Sequence, residues 1–483
     1  MNQPDSRQPS PIASASALPL PNDNAGVASE PRPRKTGRAA GHILSSLAVN
    51  LFRVPISFVV GILVARLLGP TQLGVYAFLT IFNTTLAPLV NLGLPIGINY
   101  YLSRKDYQLG EVMFSCILVG IVQGCLTALL VWSGWQLGWL GETIKLAPPD
   151  LVYAVLFLMP LTGLDMSLSG VLRGAGAFHV LNAIRALNAV MTPLLLLALV
   201  VFGGAGLRGL VAVQWIVAAV TAVVDLTVLL RRYRMRWSVR WDFLKASLRY
   251  GIAGWAGTAV FRLGIRLDQF ILGIFLTAAD LGRYSLAVGW SERLWILPDS
   301  VGPILFNRVA SDKNRASAQR VTEQVHRLLI VLMAVLGFFM ALLGWLLVPL
   351  LYGKDFTESA SYLLLLLPGT LGMVSTKVLT KYTSGAGKPG YGSYAAVLGS
   401  LFGVAGYAAL IPLMGTFGVA LSTSLSYLSM GWMCSYFYRR MVRPAATRLW
   451  IFQPGDLNWL KEHARSLLRR IPVLGAKLSR QGT

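Results

Sequence analysis

The chain has 483 residues, 55% of them hydrophobic and only 13% charged, with a mean hydropathy of +0.60. A soluble domain cannot hide that much apolar side chain, so composition excludes a soluble enzyme and points to a polytopic membrane protein. The net charge of +23 would suit nucleic acid in a soluble protein, but its distribution along this chain has another explanation and no nucleic-acid partner is expected.

Residues 1–42 are rich in Pro, Ser, Ala and Asn and contain no hydrophobic run. They read as a disordered cytoplasmic segment rather than a secretory signal peptide. Twelve apolar runs follow, at about 43–65, 73–97, 112–135, 151–171, 180–202, 207–230, 250–274, 284–306, 328–351, 361–380, 391–413 and 417–437. Each suits a helix of roughly 20 residues better than the short alternating strands of an outer-membrane barrel. The expected fold class is therefore all-α and polytopic, with about twelve transmembrane helices.

The runs form two copies of one unit. Leu68, Leu73, Gly74 and Tyr76 recur as Leu276, Leu281, Gly282 and Tyr284, each 208 residues later, as do Arg231 and Arg232 at Arg439 and Arg440. Gly174-Ala175-Gly176 recurs as Gly385-Ala386-Gly387, 211 residues on. The offset covers six spans, an even number, so the copies are parallel repeats related by an axis along the membrane normal. The expected organisation is a six-helix bundle over 43–230, a basic cytoplasmic linker at 231–249, a second six-helix bundle over 250–440 around a shared central cavity, and a tail at 441–483.

Segments on one side of this arrangement hold 32 of the 43 Lys and Arg residues. The positive-inside rule then puts both termini in the cytoplasm. In the tail, Leu457, Leu460, Ala464, Leu467, Leu468 and Ile471 fall at helical spacing with Lys461, Arg465, Arg469 and Arg470 between them. This pattern fits a helix lying on anionic lipid, or a solvated basic tail.

Apart from Arg208 at the very edge of the sixth span, eleven acidic or basic residues fall within the spans: Arg53, Asp165, Arg185, Asp225, Arg262, Arg266, Asp268, Glu292, Arg293, Asp299 and Lys377. A central charge costs about 2.5–3.5 kcal/mol to insert, so such residues face partners or wet cavities. Arg53, Arg262 and Arg293 lie near mid-span; Arg185, Asp165 and Lys377 lie nearer the cytoplasm. Arg262 and Arg266, four apart, are expected to share one helical face and to require an anion opposite. Guanidinium groups favour phosphate oxygens. Arg53, Arg262, Arg266, Arg293, Arg185 and Lys377 are thus the candidate substrate-binding residues, and Asp165, Asp268 and Glu292 the candidates for ion coupling. The competing expectation is that the acids reach across and neutralise these bases as buried braces.

Catalytic, cofactor and metal sites are not expected. Cys116, Cys125 and Cys434 lack metal-ligand spacing, and His42, His179, His326 and His463 are scattered.

The segment Arg66-Leu67-Leu68-Gly69-Pro70 to Gly74-Val75-Tyr76-Ala77 resembles the end of the first helix in bacterial polysaccharide flippases. So do Asp268 to Leu272 with Gly282 to Tyr284, the run Leu351-Tyr352-Gly353-Lys354-Asp355-Phe356, and Gly385-Ala386-Gly387-Lys388. The likeness covers about residues 43–440. It implies membership of the multidrug, oligosaccharidyl-lipid and polysaccharide exporter superfamily, and two six-helix bundles around a central cavity in the bacterial inner membrane. It implies translocation of a polyprenyl-diphosphate-linked glycan for surface-polysaccharide synthesis (exopolysaccharide or lipopolysaccharide), among membrane lipids and beside a polysaccharide polymerase and glycosyltransferases. The site residues above rest on charge and depth, not on the family. Competing functions are a cation-coupled drug antiporter of the same superfamily, a non-transporting scaffold for polysaccharide assembly, and a membrane glycosyltransferase, polymerase or ligase. The last lacks an acid-rich loop or a sizeable outer domain.

Overall fold

The structure, a computed structural model, describes residues 36–311, 315–442 and 449–456, with side chains from 56 onward except 57. Two compact units separate, Met1–Ala48 and Val49–Thr483, and the helical bundle belongs to the second. The expected amphipathic stretch at 457–471 and the segment 1–35 lie outside the described residues.

No strand occurs among the described residues. The helices are α1 (Thr36–Ile81), α2 (Ala87–Val90), α3 (Leu94–Ser103), α4 (Leu109–Gln136), α5 (Gly141–Lys145), α6 (Pro149–Gly174), α7 (Phe178–Leu196) and α8 (Gly206–Arg232). After a connection at 233–240 come α9 (Trp241–Gly264), α10 (Leu267–Phe275), α11 (Ala278–Arg293), α12 (Ile296–Ser311), α13 (Arg315–Tyr352), α14 (Thr357–Gly385), α15 (Gly390–Met414) and α16 (Thr416–Met441). The chain is an all-α polytopic membrane protein. α1 bends at Gly69, whose φ of 70° and ψ of 176° only glycine adopts readily, so it supplies the first span and the start of the second.

Among the described residues, eight helices have the length and hydropathy to cross a bilayer by themselves. The expected eighth span falls short because it is broken, α11 and α12 being separated by Leu294 and Trp295, and the expected seventh is broken too, α9 and α10 being separated by Ile265 and Arg266. The second is interrupted as well, at Asn91, Leu92 and Gly93. In hydrocarbon a break survives only if its freed backbone groups find partners. Here they do: Gln123 Nε2 donates to Asn91 O at 3.1 Å, Trp255 Nε1 to Pro88 O at 3.2 Å, and Tyr427 OH to Ile265 O at 3.3 Å. The twelfth span, α16, is serine-rich and packs its hydroxyls inward, with Ser426 Oγ donating to Gly399 O at 2.8 Å.

The residues expected to form a linker, 231–249, resolve into the end of α8, eight connecting residues and the first turns of α9. Arg236 Nη1 and Arg240 Nη1 both reach Glu111, at 2.8 and 3.0 Å, and Arg240 also forks onto Asp242. Hydrogen bonding from Arg240 holds the Asp242 carboxyl below its usual range.

The two halves meet along the second and seventh spans. Gly93 lies against Gly251, and Gly97 against Ser247. Near the first-to-second and seventh-to-eighth connections, Gly74 packs on Ala278 and Gly282 on Pro70 so closely that a Cβ at either glycine would overlap the facing carbonyl. These two glycines are the 208-residue repeat partners, so the internal repeat places like against like at the join.

Candidate functional site

Where α3, α6 and α9 converge beside the break at Asn91, a cavity of about 310 Å³ opens, lined by Asn91, Ser169, Arg173, Trp255, Thr258 and Arg262 among others. Arg262 stands in the last turn of α9, just ahead of that helix's break. It has no hydrogen-bond or ion-pair partner among the described residues. Arg173 enters from the other half. It sits in the last turn of α6, and because helical side chains lean toward the N-terminus, its guanidinium reaches back to Ser169 Oγ at 3.0 Å. No carboxylate among the described residues lines this cavity. Two guanidinium groups, one from each half of the sequence, thus face a small polar space whose own lining holds no carboxylate, although Asp165 of the adjoining chamber lies near Arg173.

Ser169 and Arg173 also line a second, larger chamber of about 550 Å³ inside the first half. Its walls come from the second, fourth, fifth and sixth spans, and Arg185, Asp165 and Asp225 all face it. Asp165 and Asp225 lie within hydrogen-bonding reach of each other, and Asp225 is fully buried. Asn188 and Thr221 hydrogen bond reciprocally at 3.0 and 3.2 Å, and Gln214 Nε2 donates to Tyr76 OH at 2.9 Å. Asn83 contributes from a π-helical turn, Phe82–Leu86, a local unwinding that aims its amide inward.

The other expected residues separate. Arg262 and Arg266 do not share a face, because α9 ends at Gly264 and Arg266 takes a non-helical conformation (φ −128°, ψ −2°) at the start of α10. Arg266 instead forms a two-pronged pair with Glu292 of α11, at 2.6 and 3.0 Å, so this arginine and this acid serve each other. Arg293 donates to Gly289 O at 2.8 Å and lies 5.0 Å above the Phe58 ring, beside a cavity of about 260 Å³ between the first, second and eighth spans. Lys377 bonds both oxygens of Asp299, at 2.8 and 2.9 Å, and lies over Trp295; with Lys381 it lines a cavity of about 460 Å³ in the second half. Asp268 is buried and accepts from Tyr284 OH at 2.6 Å and from the Gln269 amide at 2.7 Å, in a chain that continues through Thr423 to Tyr407. The Arg53 side chain lies outside the described residues.

Sequence reasoning missed Arg173 and Lys381 as lining residues. Arg173 and Lys381 fall just past the hydropathy edges of their spans, at 171 and 380, and only the backward lean of helical side chains could have drawn them in.

Beyond α16 the chain returns to the bundle. Leu449 is buried and its carbonyl meets His326 Nδ1 at 3.0 Å, while His326 Nε2 meets Ser375 Oγ at 2.7 Å. Asp456 is gripped by Arg327 through two bonds of 2.7 Å, both side chains being almost fully buried.

Among solved structures the chain is similar to lipid II flippase MurJ in an inward closed conformation, at 13% identity, TM-score 0.67, covering 82% of this chain and 87% of that one. It is similar to an inward-facing multidrug resistance MATE family transporter of the MOP superfamily, at 13% identity, TM-score 0.64, covering 83% and 99%. A MOP superfamily transporter from Pyrococcus furiosus, whose binding pocket is described as having reversed polarity, matches at 14% identity, TM-score 0.55, covering 84% and 94%. At such identities these likenesses establish the fold. Among curated proteins there is no match. The model of the family described as polysaccharide biosynthesis protein matches residues 63–361, well over half of the sequence, and the chain belongs to that family.

Proposed function

We propose that the protein is a flippase that carries a polyprenyl-diphosphate-linked glycan across the bacterial inner membrane by alternating access. The observation that carries this reading is the cavity bracketed by Arg173 and Arg262. It offers two guanidinium groups from opposite halves and, among the described residues, no acid, which complements a diphosphate and disfavours a cationic drug. A diphosphate held between them ties one half to the other, so rocking of the halves moves the head group while the polyprenyl chain stays in lipid. The family supports a polysaccharide precursor as cargo, and the MurJ and MATE likeness supports alternating access.

In this reading residues 43–230 and 250–440 are the moving bundles and the termini are cytoplasmic, as the Lys and Arg distribution favours. Arg185 recruits the head group at the inner face, while Arg266 braces the break between α9 and α10 through Glu292. A polymerase and glycosyltransferases supply and consume the lipid-linked unit.

Purified protein in vesicles should move undecaprenyl-diphosphate-linked oligosaccharide between leaflets. Loss of a hydrogen bond to a charged group is worth about 1.5–3 kcal/mol, so Arg262→Ala should slow movement about tenfold or more with an unchanged melting temperature. An unaltered rate in that variant would remove Arg262 from the path.

A further inference from the structure

The larger chamber is unlike the arginine cavity it adjoins. Its charged lining sets two acids within reach of each other, Asp165 and Asp225, against Arg173 and Arg185, and most of the remaining polar lining is hydroxyl and amide. Two acceptors, Asn83 Oδ1 and Asp225 Oδ1, are buried there with no donor among the described residues. A buried acceptor without a donor costs about 1–3 kcal/mol. Ionised phosphate cannot supply the missing protons, since its oxygens only accept. A sugar supplies both sides of the exchange: its hydroxyls donate to carboxylate and amide oxygens and accept from guanidinium and amide nitrogens. The chamber's 550 Å³ lies in the range of small-molecule sites, and the shared Ser169 and Arg173 place it next to the arginine cavity.

We propose that this chamber is a carbohydrate subsite, in which Asn83, Asp225, Asp165 and the Asn188–Thr221 pair recognise the hydroxyls of the sugar nearest the diphosphate. The inference rests on the flippase reading, and it assigns discrimination among glycans to the first half alone. Arg262 and Arg173 hold what every polyprenyl-diphosphate donor shares. The chamber reads what differs.

The test uses the full chain in nanodiscs and measures affinity for four probes: undecaprenyl diphosphate, and the same lipid carrying N-acetylglucosamine, glucose or galactose. The wild type should bind at least one glycosylated lipid about tenfold more tightly than the bare one. Asp225→Asn and, separately, Asn83→Leu should erase that increment while leaving bare undecaprenyl diphosphate within about twofold of wild type. Two variants on different helices, each checked by thermal melting, keep the result readable if one misfolds. Equal affinity of the wild type for bare and glycosylated lipids would overturn the subsite and leave the flippase reading standing. An intact sugar increment in both variants, with sodium or proton dependence of transport lost in Asp225→Asn, would make the acid pair a cation site and also overturn it. Failure of the wild type to bind any of the four lipids would sink the flippase reading itself, and this inference with it.

Discussion

A charge in the membrane interior is informative only once its partner is known, and the six bases singled out by sequence have different fates. Arg266 and Lys377 are matched to Glu292 and Asp299, whereas Arg262 and Arg185 have no partner among the described residues and face cavities. Removing one member of such a matched pair leaves the other charge stranded. Glu292→Gln should therefore lower thermal stability, and Arg266→Met with Glu292→Gln should recover part of the loss, as a double-mutant cycle on melting temperature would report. Single and double losses that simply add would show the pair to be uncoupled. That acids could reach across to brace these bases was legible in the sequence, and Arg266–Glu292 and Lys377–Asp299 do so; which base would be matched was not, because Arg266 and Glu292 lie on different helices and meet only through the break that precedes α10. Arg173 escaped notice for a related reason, since hydropathy marks where a backbone leaves the bilayer and not where a long side chain ends.

At the scale of elements, the all-α polytopic character was legible because membrane helices must be long, apolar and internally hydrogen bonded. The breaks were not, since the residues that excuse them, Gln123, Trp255 and Tyr427, lie far away in sequence. The returning segment 449–456 was hidden similarly: Asp456 falls in the turn Pro454-Gly455-Asp456 of the expected tail, yet it is buried against Arg327 of α13. Breaking a buried ion pair of this kind typically costs about 3–5 kcal/mol, so Arg327→Ala should release the segment and expose Leu449 to proteolysis or amide exchange, protection unchanged from wild type being the contrary result. Burial pushes the Asp456 carboxyl up, but Arg327 and the Gln453 amide outweigh it and leave it below its ordinary value. A carboxyl depressed on folding contributes stability above its unfolded pKa of about 3.9 and loses it as pH falls further. The Asp456–Arg327 contribution to docking of this segment should accordingly weaken below about pH 4, as exchange of its amides would show.

For the whole molecule, the repeat has mechanical meaning. Gly74 and Gly282 equip both halves with a surface that tolerates direct backbone contact, beside the connection between the first two spans. Gly74→Val would place a side chain in the Ala278 carbonyl and favour an alternative state in which this contact is open. Thiol labelling of a cysteine introduced at Thr277 should become faster in that variant; an unchanged labelling rate would mean that the join does not open there. In the flippase reading, transport depends on the two guanidinium groups that the halves present to one another. The most direct test of that dependence is the affinity of the full chain for undecaprenyl diphosphate against undecaprenol, in wild type and in the double variant Arg173→Ala, Arg262→Ala. The diphosphate lipid should bind wild type far more tightly, and the double variant should lose about 100-fold for it while binding undecaprenol as before. Retention of the diphosphate preference without those two side chains would contradict the role assigned to the pair.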